Sequence, residues 1–356
     1  MARLLITGGA GFIGSHTCLE LLQEGHNLII LDNLSNSSSV ALERVAGLAG
    51  LKPYSKNTKD RLQFIKGDIR DSSCLEKVFT DAKNSSQPIE AVIHFAGLKA
   101  VGESVREPLR YWDVNLTGSR CLLAAMSLHD CRTLVFSSSA TLYGYPKDVP
   151  IPETTPIQPI NPYGHSKAAV EQLLHDLVVS APNQWRIACL RYFNPVGAHP
   201  SGKIGEDPLG TPNNLFPFVS QVAVGRRKSL QVFGSDWPTN DGTGVRDYIH
   251  VMDVAEGHCA ALNCLLTEPP QLLTLNLGSG KGASVLEMVH AFELASGRKV
   301  AYELVARRDG DAAITVADPS LALQRLGWRT QRSLNEICRD GWAWQSANPA
   351  GYEDPK

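Results

Sequence analysis

The sequence predicts an α/β fold, a doubly wound parallel sheet with a smaller C-terminal α/β lobe, and three observations carry that reading. Short runs rich in Leu, Ile and Val alternate with longer helical patterns through the first half of the chain. Those runs do not alternate apolar with polar, as expected of strands covered on both faces. The first of them opens directly into a cluster of glycines. The strand candidates lie at 3–7, 27–32, 62–65, 91–95, 133–137 and 186–191, with helical stretches at 12–24, 108–129 and 163–180. Strand–helix–strand order with right-handed crossovers makes neighbouring strands parallel.

The first strand runs through Leu5-Ile6-Thr7-Gly8-Gly9-Ala10-Gly11-Phe12-Ile13-Gly14 into the first helix, so Gly8, Gly11 and Gly14 are spaced Gly-x-x-Gly-x-x-Gly. Glycine permits the tight turn, close approach to a pyrophosphate and close helix–strand packing, and the helix N-terminus faces the phosphates. Phe12 and Ile13 open that helix and share the expected cofactor site. Any tight turn of this kind can require glycine, so Asp32 decides the reading. It ends the second run, 18 residues after Gly14. A carboxylate there accepts hydrogen bonds from ribose hydroxyls and repels a 2′-phosphate, which favours NAD over NADP in a Rossmann-type domain. Gly67-Asp68-Ile69 after the third strand and Phe95-Ala96-Gly97 after the fourth fall where such a sheet places further cofactor contacts. Asp68 reads equally well as a helix cap.

The fifth strand ends in Ser137-Ser138-Ser139, where a hydroxyl can reach a reacting oxygen. Tyr163-Gly164-His165-Ser166-Lys167 then sets a tyrosine and a lysine one helical turn apart on one face. The ammonium favours the phenolate, and Asn161-Pro162 is a good helix start that places Tyr163 in the first turn. The pair is a candidate general base and its partner. Tyr143-Gly144-Tyr145-Pro146-Lys147 has the same spacing, but its glycine and proline forbid a regular helix, so spacing alone is weak.

Polar stretches at 35–39, 52–61 and 83–87 read as surface loops, and six prolines crowd 146–162. Beyond about residue 195 the alternation fades, with apolar segments at 272–277 and 300–305. The expected division is 1–195 for dinucleotide binding and 196–356 mainly for substrate, with some chain returning to the first sheet. Substrate belongs at the carboxyl ends of the strands.

Composition narrows the class. The 356 residues are 43% hydrophobic and 20% charged with a formal charge of −2, which is globular usage. Without a basic stripe, nucleic acid is not an expected partner, and no apolar run reaches the roughly 18 residues that span a bilayer. Eight cysteines without a Cys-x-x-Cys pair suggest neither a disulfide framework nor a metal site. A reducing, cytoplasmic compartment fits that usage.

These residues resemble the extended short-chain dehydrogenase/reductase superfamily and, over nearly the whole length, its UDP-glucose 4-epimerases. The resemblance rests on 8–14, His94-Phe95-Ala96-Gly97-Leu98-Lys99, 137–144, 161–167 and Arg191-Tyr192-Phe193-Asn194. In the second lobe it rests on Asn213-Asn214-Leu215, 221–227, 241–253 and 306–311. It implies that Tyr163 is the base on the sugar 4′-hydroxyl, that Lys167 binds the nicotinamide ribose and holds the phenolate, and that Ser139 bonds the 4′-oxygen. Asp32, Asn33, Asn36, Asp68, Ile69, Phe95, Lys99, Asn115 and Tyr192 are implied as NAD contacts. Asn194, Asn214, Leu215, Phe233, Arg246, Arg308 and Asp311 are implied as UDP-sugar contacts, the two arginines suiting a pyrophosphate. Thr315, small at a position that sets room for an N-acetyl group in the family, implies some acceptance of N-acetylated UDP-hexoses.

The family's helices corresponding to 108–129 and 163–180 pair across a homodimer, and the stripe Val170, Leu173, Leu174, Leu177 suits either that role or the chain's own core. Three other functions are open at this point. A 4,6-dehydratase carries Asp-Glu after its Ser/Thr, whereas here Ala140 and Leu142 flank Thr141. A UDP-glucuronate decarboxylase and a non-catalytic NAD or UDP-sugar sensor are the remaining alternatives, the sensor having no use for a phenolate base.

Overall fold

The computed structural model describes residues 1–51, 61–210, 212–308 and 310–352. The expected loop at 52–61 therefore lies, but for Arg61, outside the described residues. The chain forms two compact units. The first comprises Met1–Gly144, Pro156–Arg191 and Ala255–Leu275, and the second Tyr145–Thr155, Tyr192–Val254 and the residues from Asn276 onward. The stretch 255–275 returns to the first unit, in keeping with the expected return of some chain, whereas 145–155, expected in the first unit, belong to the second.

The first unit is built on β1 (Arg3–Thr7), β2 (Asn27–Asp32), β3 (Leu62–Lys66), β4 (Ala91–His94), β5 (Thr133–Ser137) and β6 (Arg186–Tyr192). Their spatial order is β6-β5-β4-β1-β2-β3, with every pairing parallel, and the strand Gln271–Leu277 completes the sheet beside β6. The order reverses between β1 and β4, the switch point at which doubly wound sheets bind ligands. Thr7 pairs with Leu31 on one side and His94 on the other, so the ends of β1 and β4 lie side by side there.

Leu5, Ile29, Val92, Leu122, Phe136 and Trp185 belong to the core that the sheet and its helices enclose. Val170 and Leu174 are buried in the same core, with Leu173 and Leu177 packed against it. The stripe on the helix Pro162–Ser180 thus faces its own protein, each buried leucine contributing about 1.5–3 kcal/mol. The exposed stripe lies elsewhere: Val101, Val105, Leu109 and Trp112, with Leu109 83% exposed.

Three local expectations change. β3 is the edge strand, so Gln63, Phe64 and Lys66 are exposed instead of covered. Lys83 is not in a loop but in the last turn of the helix Ser72–Asn84, where a cation favours the dipole. The stretch 108–129 is interrupted, running as helix Pro108–Tyr111, π-helix Trp112–Thr117 and helix Gly118–Leu128. The Ser119 hydroxyl donates to the Asn115 carbonyl at 2.5 Å, a back-bond of the kind that bends helices.

The second unit uses short pairings: Asn194–Val196 with Tyr248–His250, and Leu230–Phe233 with Tyr302–Val305. Val245–Arg246 lies between Ala283–Ser284 and Ile314–Thr315. Phe216, Met288, Phe292 and Ile337 form its core. Ile151 N donates to Val316 O at 2.8 Å and Asn276 Nδ2 to Ile151 O at 2.8 Å, which ties 145–155 into this unit. The described residues include all eight cysteines, each a free thiol, and among them no acidic, His or Cys cluster suits a metal. No helix among the described residues is long and apolar enough to cross a membrane.

Candidate active site

The glycine turn leaves no room for side chains. Gly8 has φ +72°, and a Cβ there would stand 2.6 Å from Ala96 N. A Cβ on Gly14 would stand 2.3 Å from the Gly8 carbonyl oxygen. Gly11 is the N-cap of the helix Phe12–Gln23, and no side chain caps it. Its first amides, the Gly14 approach and the helix dipole make a cradle that fits a pyrophosphate. Phe12 and Ile13 are half-buried on its first turn.

Asp32 is buried at the end of β2, accepting from Ala10 N at 3.1 Å, Leu34 N at 2.9 Å and Ser37 Oγ at 2.8 Å. These bonds aim one carboxylate at the turn, which suits the expected ribose contact. Asn33 and Asn36 are exposed beyond it. Asn33 Nδ2 donates to Asp68 at 3.2 Å, and Arg70 grips Asp68 at 2.8 and 3.0 Å while reaching Asp113 at 2.6 Å. Hydrogen bonds from the Arg70 guanidinium hold the Asp68 carboxyl well below the usual carboxylate range. Asp68 is therefore not the helix cap; Asp71 is, accepting from Ser73 N and Cys74 N. Ile69 is buried, and a Cβ on Gly118 would press on its side chain at 2.5 Å.

The helix Pro162–Ser180 starts as its sequence suggests, with the Asn161 side chain accepting from Gly164 N at 2.9 Å and proline in the first turn. Tyr163 and Lys167 are both buried. Lys167 Nζ donates to the Ser137 carbonyl at 2.8 Å and lies 4.8 Å over the Phe136 ring, so the ammonium is pinned to the end of β5. Burial lowers its pKa to about 8, against the opposing pull of Glu171. Gly97 completes the enclosure: a Cβ there would come within 3.1 Å of Asn115 Oδ1 and 3.8 Å of Lys167 Nζ. Ala96 and Phe95 are half-buried in the same loop, and Lys99 is exposed beyond it.

Ser139 is buried two residues past Ser137 and accepts from Thr141 N at 3.2 Å and Thr141 Oγ1 at 2.9 Å, capping the short 3-10 turn Ala140–Tyr143. Gly144, at φ +60° with Gln158 O only 2.0 Å from an added Cβ, turns the chain away, so Tyr143 and Lys147 share no helix.

One buried group beside this site, Glu171, is not among the residues that the sequence singled out. Glu171, one turn beyond Lys167, accepts from Ser138 Oγ at 2.5 Å and from Arg191 at 2.6, 3.0 and 3.2 Å. Arg191 also donates to the Tyr143 hydroxyl at 3.0 Å. The i, i+4 step from Lys167 was the available signal. Asn115, expected as an NAD contact, accepts from Leu98 N at 2.8 Å and donates to Leu98 O at 3.1 Å and Ser166 Oγ at 2.9 Å. Both of its amide hydrogens are engaged inside the protein.

In the second unit five of the expected substrate residues converge. Asp311 lies 3.1 Å from Arg308 and 3.9 Å from Arg246, and Arg308 stacks 4.6 Å over Phe233. Thr315 is the register partner of Arg246. Asp247, which the sequence did not single out, is fully buried and accepts from Ser279 N and Oγ, Gly280 N and Ala317 N at 2.6–3.1 Å. It braces the loops around Arg246, while burial raises its pKa. Its carbonyl takes Asn194 N at 3.0 Å, and Asn194 pairs with Tyr248. Asn214 is the exposed N-cap residue before the helix Leu215–Ala223, and Tyr192 is half-buried at the end of β6. Arg307 turns instead to Asp236 at 2.7 Å and the Trp237 ring at 3.9 Å.

Residues 5–341 match the GDP-mannose 4,6 dehydratase family. The chain is 55% identical to UDP-glucose 4-epimerase 1 of Oryza sativa subsp. japonica, over 100% of this chain and 98% of the relative. It superposes with a TM-score of 0.92 on the UDP-glucose-4-epimerase from Stenotrophomonas maltophila, a structure with bound NAD and formylated UDP-arabinopyranose, at 48% identity over 98% and 99% of the two chains. The UDP-glucose 4-epimerase from Bifidobacterium longum, in complex with NAD+ and UDP, gives a TM-score of 0.91 at 48% identity over 98% and 100%.

Proposed function

Because the chain belongs to the UDP-glucose 4-epimerase family of extended short-chain dehydrogenase/reductases, we propose that it interconverts UDP-galactose and UDP-glucose through transient NAD-dependent oxidation at C4. The observation that carries this reading is Lys167, held under the Ser137 carbonyl one helical turn from Tyr163, beside a glycine turn shaped for a dinucleotide. NAD, when bound, supplies a reversible hydride acceptor for the sugar C4. Gly8, Gly11 and Gly14 leave space for its pyrophosphate, and Asp32 takes the ribose hydroxyls.

The chain's own residues handle the proton. Tyr163 removes it from the 4′-hydroxyl, the Lys167 ammonium stabilises the phenolate, and Ser139 bonds the 4′-oxygen in both the alcohol and the 4-keto sugar. Tyr163 returns the proton after the hexose has turned, and because the hydride acceptor is reversible and the hydride goes back to C4, the net redox change is zero. Turning the hexose requires contacts concentrated on the nucleotide. Arg246, Arg308 and Asp311, with Phe233, Asn194, Asn214 and Leu215, supply them, the guanidinium forks matching phosphate oxygens. The 4,6-dehydration named by the matching family needs a carboxyl group that Ala140 and Leu142 do not provide.

Thr315 leaves room for N-acetylated UDP-hexoses, and an enzyme that converts UDP-galactose yet leaves UDP-GalNAc untouched refutes that assignment. The exposed stripe Val101, Val105, Leu109 and Trp112 supports a homodimer, and the free thiols support a cytoplasmic setting. Purified protein given UDP-galactose without added NAD, followed by NMR of the sugar signals, is expected to form UDP-glucose. No conversion after NAD is restored overturns the proposal.

A further inference from the structure

We propose that His94 is a positioning residue for this reaction: a neutral imidazole, carrying its one proton on Nε2, that locks the π-helical turn of Asn115 between the loop after β4 and the start of the Tyr163 helix.

The proton assignments follow from counting donors. The Asn115 carbonyl can only accept, so at 2.5 Å the Ser119 hydroxyl must donate its single hydrogen to it. Ser119 Oγ also lies 2.9 Å from His94 Nε2 and has only lone pairs left, so Nε2 carries the hydrogen. Nδ1 lies 2.6 Å from Thr7 Oγ1. If the ring is neutral, Nδ1 is bare and accepts the Thr7 hydroxyl. Beyond Ser119 the direction continues unbroken. Asn115 Nδ2 donates to Leu98 O and Ser166 Oγ, and the Ser166 hydroxyl donates to the Tyr163 carbonyl at 2.8 Å. Thr7, His94, Ser119, Asn115 and Ser166 are all at most 3% exposed, so water does not compete for these bonds.

Neutrality is enforced by the surroundings. The Phe136 ring lies 5.7 Å from the imidazole and carries the Lys167 ammonium 4.8 Å from its own centroid. Burial, and secondarily that ammonium, push the His94 pKa down to about 3. An imidazolium would need an acceptor at Nδ1, where the Thr7 hydroxyl would have to reverse its bond. The chain thus runs one way from the strand that enters the glycine turn to the backbone of Tyr163. Asn115 sits at its centre, also bracketing the Leu98 loop that passes Lys167.

What is positioned rests on the epimerase reading, whereas the tautomer does not. The test therefore has two arms. In uniformly 13C,15N-labelled holoenzyme, with the His94 ring signals assigned through correlations to its own backbone, Nε2 is expected to be protonated and Nδ1 bare. Both should stay unchanged from about pH 5 to 8, the window in which an ordinary imidazole titrates. A titrating ring, or an Nδ1–H tautomer, overturns the proposal even if every variant fails to fold. In the kinetic arm, His94→Asn, which keeps an acceptor toward Thr7 but loses the Ser119 donor, and Ser119→Ala are each expected to lower kcat about tenfold or more, with KM for UDP-galactose little changed. His94→Gln, which restores a donor toward Ser119, should recover part of that loss. Wild-type kcat in both His94→Asn and Ser119→Ala, or a loss confined to KM, overturns positioning. A wild-type enzyme without epimerase activity overturns the functional reading instead and leaves the NMR arm standing.

Discussion

Replacing Glu171 by leucine removes the carboxylate that holds Arg191 and Ser138 in the interior. The pair is almost completely enclosed, 5% and 7% exposed at the side chains, with a shortest contact of 2.6 Å. Three bonds from the guanidinium and one from the Ser138 hydroxyl lose their acceptor together. Orphaning one member of a buried ion pair costs about 3–5 kcal/mol, while the Tyr143 hydroxyl, and its ring 5.1 Å from the guanidinium, stay beside Arg191. At about 2–4 °C per kcal/mol for a large domain, thermal unfolding should begin roughly 6–20 °C lower. Arg191→Leu should behave similarly, leaving an unpaired carboxylate. The double substitution removes both charges and should be much less harmful than the sum, because an apolar pair of similar volume often replaces a buried ion pair without loss. The assay is calorimetric unfolding of the two single variants and the double variant at one pH. Glu171→Leu within about 0.5 kcal/mol of the parent, or strictly additive singles, refutes the reasoning.

Three further outcomes follow from the geometry. Lys167 loses its proton as pH rises through about 8, so kcat should fall on the alkaline side, and Glu171→Gln, which removes the charge that raises the lysine, should move that limb to lower pH; a limb that stays in place contradicts the coupling. Gly14→Ala sets a Cβ 2.3 Å from the Gly8 carbonyl, so the purified variant should carry much less NAD than the parent, as read by the nucleotide released on denaturation; an equal NAD content shows that the turn is not the cradle. If the proposed homodimer forms through the exposed apolar stripe, Leu109→Glu places a charge in the contact, and light scattering should find the parent as a dimer and the variant as a monomer; a monomeric parent refutes the proposed dimer, and a variant that keeps a dimer mass places the subunit contact elsewhere.

Much of the first unit is legible because its strands are short, apolar and followed by breakers. β1, β2 and β5 end where the apolar runs end, since Gly8, Asn33 and the serine triplet stop them. What lies on a sheet edge is only partly legible: Gln63 and Lys66 interrupt the apolar run of β3, unlike the unbroken runs of β2 and β4, and it is the strand order that places β3 at the rim with Phe64 uncovered. The π-turn at Asn115 is likewise invisible in periodicity, because it depends on a hydroxyl four residues later choosing a carbonyl. Motif spacing finds Tyr163, Lys167 and the glycines, whose chemistry is local. His94 and Asp247 act through partners as much as 87 residues away in the chain, and no spacing rule reaches them, whereas Glu171 leaves one signal, its i, i+4 step from Lys167. The valine–leucine stripe of 170–177 shows the converse limit, since amphipathicity says that a face is covered but not by what.

The strand Gln271–Leu277 gives the sheet a peculiar biosynthetic schedule. The six preceding strands leave the ribosome as far as Tyr192, and the last one follows about 80 residues later. At ~5–20 residues per second that is a delay of roughly 4–16 s, during which β6 presents a bare row of amides and carbonyls. A fragment ending at 195 would keep that open rim permanently and should be prone to edge-to-edge aggregation. The nucleotide-binding half is therefore not a portable module: its last plank is supplied only after a long excursion of the chain, 192–254, into the other half.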